Sequence, residues 1–189
     1  MRHFLILACA LLLAACGRTP VQEQQAYVFG TRVEVLVVSA DPAQGRQAIA
    51  AVLQEFDRMH RAYHAWQPSE LSDLNLAIAE GQPQQVAPEL AGFIGEAQQL
   101  SRQGDYLFDP GIGQLISLWG FQADEFKAEL PEEAKIKAWL ANKPSIADLT
   151  ISDGLVASRN KNVALDFGGY LKGVALDRGV GDGGPRGIG

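Results

Sequence analysis

Residues 163–178 (VALDFGGYLKGVALDR) are the stretch best suited to bind a charged ligand. An apolar run ends at Asp166, two glycines follow at 168 and 169, and a helix is expected from Tyr170. Glycines let the backbone approach a ligand closely, and a helix N-terminus offers free N–H groups to an anion. Lys172 would add a charge for a phosphate, while Asp166 would bind a metal or a ligand hydroxyl. The alternative is a tight strand–helix turn in which Asp166 is a cap and Lys172 is solvated.

A second candidate lies in residues 104–113 (GDYLFDPGIG). In a functional interpretation, Asp109 and the preceding backbone line a pocket, with Tyr106 and Phe108 as apolar walls. Asp-Pro-Gly is also a good turn sequence, and an Asp in this position commonly caps the turn. Taken alone, the pattern favours the turn.

A third candidate is the stretch 59–71 (MHRAYHAWQPSEL). His60 and His64 are four residues apart and would share a helix face, but a metal site needs further ligands. Capping or surface histidines are the more ordinary interpretation. Trp66 would either stack on a planar ring or pack into the core, and the pattern favours neither.

Composition limits the functions to consider. The chain has 189 residues, 47% apolar and 20% charged, with a formal net charge of −6. These values are typical of a globular protein and indicate no electrostatic footprint for nucleic acid. The sequence contains no nucleophile elbow, P-loop or dinucleotide-binding fingerprint between a strand and a helix.

The N-terminus has the pattern of a bacterial lipoprotein signal. Arg2 and His3 precede the apolar run 4–15, which is too short to span a membrane but fits a signal-peptide core. The run ends in Leu-Ala-Ala-Cys-Gly, which resembles a lipobox with Cys16 as the lipidated residue. An ordinary signal peptide followed by a stray cysteine is the alternative.

The two cysteines then have no redox role in the mature chain. Cys9 leaves with the leader, residues 1–15, and Cys16 carries the lipid. Acyl chains on Cys16 would hold the protein stably on a membrane. The polar residues that follow predict a tether over 16–25.

Helical periodicity and caps predict four helices besides the one expected from Tyr170. The first spans about Pro42 to Tyr63 with Asp41 as N-cap. The others are a short helix from Ser69 to Leu76, a helix over Pro88–Gln103 that stops at Gly104, and a helix over Pro131–Leu140.

Short apolar runs predict strands. One strand covers 27–39, with a bulge or close approach at Gly30-Thr31, and three more cover 149–151, 155–158 and 163–167. Asp153-Gly154 predicts a hairpin turn. Helices beside hairpin strands favour an α+β fold with an antiparallel sheet. Six glycines in residues 179–189 predict an irregular tail that ends the helix begun at Tyr170.

Four segments, in this order, resemble the bacterial FAD:protein FMN transferases, the ApbE family. The segments are Phe-Gly-Thr at 29–31, the stretch 64–75 (HAWQPSELSDLN), the run 104–121 (GDYLFDPGIGQLISLWGF) and the stretch 165–177 (LDFGGYLKGVALD). The family usually has Met where Phe29 stands. The resemblance covers about residues 26–178 and implies the T-fold-like α+β architecture of that family.

The resemblance also implies a reaction and its components. Such enzymes bind FAD and Mg²⁺, cleave the pyrophosphate, attach FMN to a threonine of a target protein and release AMP. The implied acceptors are flavin-bearing subunits of membrane redox complexes. The implied location is the periplasmic side of the inner membrane, with no nucleic-acid partner.

The resemblance also assigns site residues, at the positions of this sequence that match the family's motifs. The resemblance implies that FAD contacts the residues Phe29, Trp66, Leu107, Phe108, Asp109, Asp166 and Lys172. It implies that the backbone carbonyl of Gly169 is a magnesium ligand. It assigns no catalytic base.

The family pattern continues beyond the motifs present here. Family members have a later Asp and Thr that bind magnesium, so we expect an N-terminal part of the transferase domain at 26–178 and an incomplete core and metal site. Two alternatives stay open: a lipid-anchored flavin-binding or scaffold lipoprotein without catalysis, and an inactive fragment. Mg²⁺-dependent AMP release would distinguish the enzyme from both.

Overall fold

A computed structural model describes residues 19–123 and 129–183. The predicted leader, Cys16 and residues 184–189 lie outside the described residues. The strands are β1 Val21–Val28, β2 Thr31–Val38, β3 Gln84–Gln85, β4 Leu149–Ser152 and β5 Leu155–Ser158. The helices are α1 Pro42–Ala62, α2 Glu70–Glu80, α3 Pro88–Gln103, α4 Gly113–Leu118, α5 Glu133–Asn142 and α6 Tyr170–Gly183, with a short 3₁₀ turn at Ile146–Asp148. Within the described residues, none of these helices is long and apolar enough to cross a bilayer.

The first two strands form an antiparallel hairpin that packs against α1. Val28 pairs with Thr31, which leaves a two-residue turn at Phe29-Gly30 with φ angles of 53° and 68°. Two consecutive positive φ angles match the right-handed twist of a hairpin. The prediction of one strand over 27–39 was therefore wrong, since the interruption is a turn between two strands.

The tether prediction also needs correction, because β1 begins at Val21. Residues 21–25 are mostly polar and exposed, and they pair with Val38 through Glu34. Their own sequence does not favour a strand. The backbone of β2 supplies the hydrogen bonds, so the pairing partner decides the conformation.

Helices α1 and α3 confirm their predictions. Asp41 accepts hydrogen bonds from the backbone N–H groups of Ala43 at 2.8 Å and Gln44 at 3.3 Å, and Pro42 occupies the first helical turn. Helix α3 spans Pro88–Gln103 and is followed by Gly104, as predicted.

Helices α2 and α5 differ from prediction at their ends. Ser69 and Ser72 form a capping box at the start of α2, which continues to Glu80 and ends at Gly81 in the left-handed conformation. The four added residues include the buried Ala77 and Ile78, so packing extends the helix. Helix α5 is shifted two residues toward the C-terminus, and none of its residues is buried.

A second sheet has the strand order β3-β5-β4 and is fully antiparallel. Asp153 and Gly154 form its hairpin turn with φ angles of 51° and 78°. The predicted turn and the strands around it are confirmed. Together with the packed helices, the two sheets confirm the α+β class.

The segment 163–167 is not the strand that its apolar residues predicted. It makes one isolated parallel bridge, between Ala164 and Ile112. Asn75 replaces a strand partner: its side-chain amide donates to the Leu165 carbonyl at 2.9 Å and accepts from the Leu165 N–H at 2.7 Å. Side-chain hydrogen bonds thus satisfy a buried backbone that a sheet would otherwise pair.

Helix α6 continues to Gly183, so the irregular tail predicted from 179 was wrong for residues 179–183. A Cβ at Gly179 would lie 3.2 Å from Cγ1 of Val52 and 3.3 Å from Cζ of Phe56. The glycine therefore lets α6 pack closely on α1. Its packing contact outweighs its low intrinsic helix propensity.

Candidate functional site

A cavity of about 480 Å³ opens where the first hairpin, the end of α1 and the start of α6 meet. The same cavity receives residues from the loop after α1 and from the segment after α4. Its lining residues are Tyr27, Phe29, Gly30, Thr31, His60, Tyr63, His64, Ala65, Trp66, Gln67, Phe121, Ala123, Asp166, Gly168 and Leu171. The structure thus brings together three of the residues that the resemblance assigned to the site, Phe29, Trp66 and Asp166, with His60 and His64 beside them.

Phe29 lies at the turn of the hairpin and forms one wall of the cavity. Its φ of 53° is unusual for a bulky side chain, and only 9% of the residue is exposed. Its backbone N–H donates to Nδ1 of His60 at 3.3 Å, and the two rings meet edge to face at 5.8 Å. Phe56 lies on the other side, with ring centroids 6.4 Å apart.

Trp66 forms a second aromatic wall, in the loop that follows α1. It is 43% exposed, which favours the ligand-stacking interpretation over a core role. The ring of His64 lies 4.3 Å from it, and Nδ1 of His64 accepts the N–H groups of Trp66 at 3.4 Å and Gln67 at 3.1 Å.

The histidine pair does not form a metal site with the described residues. Both Nδ1 atoms accept backbone N–H groups, and no group of three His, Cys, Asp or Glu suited to a metal occurs in the described part of the chain. The capping interpretation is the one observed.

Asp166 lies at the floor of the cavity, directly before the glycines. Its Oδ1 accepts the Gly168 N–H at 2.9 Å, and its Oδ2 accepts from Nε2 of Gln122 at 3.0 Å. Its own N–H donates to the Pro110 carbonyl at 2.9 Å. The carboxylate is therefore held in a fixed orientation beside the start of α6.

Gly169 and Lys172 lie at the start of α6 but outside the cavity lining. Gly169 is exposed, and a Cβ there would meet nothing within 4 Å. Lys172 is exposed on the first turn of the helix. Both are accessible to a ligand that extends from the cavity over the helix N-terminus, where the backbone favours negative charge.

Residues 107–109 lie farther away, after the end of α3. Leu107 is 95% exposed, and the ring of Phe108 is 6.5 Å from that of Tyr170. Oδ1 of Asp109 accepts the N–H groups of Gly111 at 2.8 Å and Ile146 at 2.9 Å. The turn interpretation of Asp109 is therefore observed, and none of the three is among the residues that line the cavity.

An ionic cluster lies behind the cavity, between α1, α3 and α6. Glu89 accepts hydrogen bonds from Tyr63, Arg58 and Arg178, and both arginines also contact Glu55. Partial burial disfavours the charge on Glu89, but these three donors outweigh it and lower its pKa to about 2. Burial and the neighbouring Glu89 carboxylate raise the pKa of Tyr63, so its hydroxyl remains a donor.

Sequence reasoning missed several residues that position this site. Gln122 orients Asp166, and its amide has no sequence pattern of its own. Asn75 orients the neighbouring Leu165. It is the last residue of the stretch 64–75 that carries the family resemblance, but no role was predicted for it. His60 was noted only for its spacing from His64.

Taken together, the fold and the cavity define an α+β domain with a nucleotide-sized cavity at a helix start. A model of the ApbE family matches residues 29–181, and the chain belongs to that family.

Individual relatives agree with the family assignment. The chain is 40% identical over 181 residues to an FAD:protein FMN transferase of Rhodobacter capsulatus, covering 93% of this chain and 35% of that protein. It is 25% identical over 180 residues to an FAD:protein FMN transferase of Haemophilus influenzae, covering 90% and 51%. The crystal structure of the ApbE protein of Thermotoga maritima superposes with a TM-score of 0.76 at 26% identity, covering 85% of this chain and 51% of that one. The chain thus spans between about a third and a half of the length of these relatives.

Proposed function

We propose that this chain carries the flavin-binding part of an FAD:protein FMN transferase, which moves FMN from FAD to a threonine of a flavoprotein and releases AMP. The observation that carries the proposal is the meeting of Phe29, Trp66 and Asp166 at one cavity beside the start of α6. They come from separate segments of the chain, and each segment resembles a motif of the family. The names of the Rhodobacter capsulatus and Haemophilus influenzae relatives support the same activity.

The reaction is a phosphoryl-group transfer. The threonine Oγ forms a bond to the FMN phosphorus as the bond from that phosphorus to the bridging pyrophosphate oxygen breaks. AMP takes the bridging oxygen and its electron pair, and the threonine proton passes to solvent or to a base that we do not assign. Such reactions depend mostly on positioning and charge neutralisation.

The residues of this chain would divide these tasks. Phe29 and Trp66 would contact the flat ring systems of FAD, and Asp166 would accept a hydrogen bond from the nucleotide. The free N–H groups at the start of α6 and the ammonium group of Lys172 would face the phosphates. Leu107, Phe108 and Asp109 would contact the part of FAD that extends beyond the cavity, past Tyr170.

Magnesium would bind through the Gly169 carbonyl. The described residues fit only part of such a site, since they contain no group of three ionisable ligands. Protein-bound Mg²⁺ commonly takes one or two protein oxygens and completes its shell with substrate phosphates and water. The ion would neutralise pyrophosphate charge when bound.

The proposal also includes a cellular location and binding partners. A lipid on Cys16 would anchor it to the inner membrane, on the periplasmic side. Its acceptors would be flavin-bearing subunits of membrane redox complexes, with no nucleic-acid partner. The lipobox pattern supports the anchor, the acidic composition supports the absence of a nucleic-acid partner, and the inner membrane follows from the family resemblance.

The test follows both products at once. The full chain in detergent is incubated with FAD, Mg²⁺ and an acceptor peptide carrying a threonine, and AMP and in-gel flavin fluorescence are measured. We expect equal amounts of AMP and fluorescent peptide, and neither product with a Thr→Val peptide or with Asp166→Ala. Arg61→Ala, an exposed substitution outside the cavity, is the matched control and should leave both products unchanged. FAD binding without AMP release, both from this chain and after a C-terminal segment of the family is appended to it, would contradict the transferase and favour a non-catalytic flavin-binding lipoprotein.

A further inference from the structure

His60 and His64 use the same ring atom for the same kind of contact. They lie one turn apart, at the end of α1 and in the loop that follows, and their ring centroids are 5.1 Å apart. Nδ1 of His60 accepts the N–H of Phe29, and Nδ1 of His64 accepts those of Trp66 and Gln67. Each histidine is therefore tied to the backbone of one aromatic wall of the cavity.

The contact with Phe29 fixes a residue in an unfavourable conformation. A bulky side chain at a φ of 53° persists only where its surroundings hold it. The hairpin supplies one restraint, and His60 supplies a second from a different element, 31 residues away in sequence. The His60 ring also packs edge to face on the Phe29 ring, so it fixes the side chain as well as the backbone.

The contact with Trp66 lies in the loop between α1 and α2. Trp66 is 43% exposed, so the protein interior surrounds only part of its side chain. His64 accepts two successive N–H groups from this loop and lies with its ring edge against the indole, at 4.3 Å and 74°. Removing Nδ1 of His64 would allow the Trp66 indole to adopt other orientations.

We propose that His60 and His64 are a pair of positioning residues that set the two aromatic walls of the cavity through Nδ1 acceptors. Each contact requires an Nδ1 atom that carries no proton. The expected effect of the two histidines on flavin affinity rests on the proposed function. Their effect on the conformation of Phe29 and Trp66 is independent of that function.

Substitutions that keep or remove the acceptor test the pair. The side-chain oxygen of Asn reaches close to the position of Nδ1, whereas Leu has similar bulk and no acceptor. The variants are His60→Asn, His60→Leu, His64→Asn and His64→Leu in the full chain, with Arg61→Ala as the control between them on the same helix. Amide hydrogen exchange at Phe29, Trp66 and Gln67 is measured without FAD, and FAD affinity is measured by titration.

The two readouts separate the two claims. We expect at least tenfold faster exchange at Phe29 in His60→Leu, and at Trp66 and Gln67 in His64→Leu, with near wild-type rates in the Asn variants and in Arg61→Ala. We expect the Leu variants to bind FAD about three- to tenfold more weakly and the Asn variants to recover most of the loss. Unchanged exchange in the Leu variants, or equal losses in Leu and Asn, would overturn the positioning role. Absence of FAD binding by the wild-type chain would instead refute the proposed function, while the exchange rates would still decide the positioning role.

Discussion

The cavity and the ionic cluster behind it are held together by different kinds of contact. Around the cavity, the side chains of His60, His64 and Asn75 hydrogen-bond directly to backbone groups. Behind it, two arginines and two glutamates join side chain to side chain. The contacts to backbone fix its geometry in a small region, whereas the ionic contacts join α1, α3 and α6. We therefore expect wall geometry and helix packing to respond to different perturbations.

The largest expected effect comes from Asn75→Leu on the cavity side. Leu165 is fully buried, and the substitution leaves both its N–H and its carbonyl without the Asn75 partner. We expect the free energy of unfolding to fall by about 2–4 kcal/mol, because each unpaired buried group costs a desolvation penalty. Chemical denaturation measures the loss, with the exposed Asn142→Leu in α5 as the control. A loss no larger than that of the control would contradict the role of Asn75.

The ionic cluster should make the free energy of unfolding depend on pH in the acid range. The pKa of Glu89 is about 2 in the folded chain, below the ordinary value of 4.5. A lowered pKa gives stability that is present above pH 4.5 and is lost as the pH falls toward 2. We expect a loss on the order of 2 kcal/mol over this range, after allowing for partial solvent screening.

Glu89→Gln isolates this contribution. The variant should be less stable at neutral pH and should lack the part of the acid loss that Glu89 causes. Its FAD affinity at neutral pH should stay close to wild type, because the cluster does not hold the backbone of Phe29 or Trp66, and the Gln oxygen can still accept from the hydroxyl of the cavity-lining Tyr63. Thermal unfolding between pH 2 and 7 gives the comparison, and an acid loss identical to wild type would show that Glu89 is not the group responsible.

Trp66→Ala should affect ligand binding more than folding. The indole is 43% exposed, so its removal costs little stability, but it removes a wall of the cavity. We expect FAD to bind about fivefold to tenfold more weakly, which corresponds to the usual contribution of an aromatic contact. Trp119→Ala, in the turn after α4 at 38% exposure, is the matched control, and equal weakening in both variants would argue against a specific contact.

The smallest effect is expected at an exposed ion pair on α1. Arg61 and Asp57 approach within 2.7 Å, and the arginine side chain is 77% exposed. Arg61→Ala should change the free energy of unfolding by less than about 0.5 kcal/mol, because water screens such pairs. A larger change measured by chemical denaturation would mean that ionic contacts contribute to stability even outside the partly buried cluster.

The sequence predicted those elements whose signals are local. Asp41-Pro42 and the apolar spacing after it define α1, and Asp153-Gly154 defines a hairpin turn. Errors arose where a distant partner decides the conformation. Strand β1 is polar and forms because β2 pairs with it. In the segment 163–167, Leu165 bonds the side chain of Asn75, and Ala164 and Asp166 bond the backbone of residues 110–113. Helix α6 continues through Gly179 because that glycine allows contact with Phe56.

The site was predicted only in part, for the same reason. Motifs pointed to Phe29, Trp66 and Asp166, and these residues meet at the cavity. The groups that orient them come from other elements and have no sequence pattern of their own, as Gln122 illustrates. Asp109 was assigned a binding role by resemblance, while its observed contacts join a turn to Ile146.

We propose that the flavin nucleotide binds in the cavity and not at the ionic cluster. A crystal structure of the full chain with FAD and Mg²⁺ would locate the nucleotide. We expect a ring system of FAD against Phe29 and Trp66, with the phosphates over the start of α6 near Gly169. FAD bound elsewhere, with the cavity empty, would refute the proposed binding site.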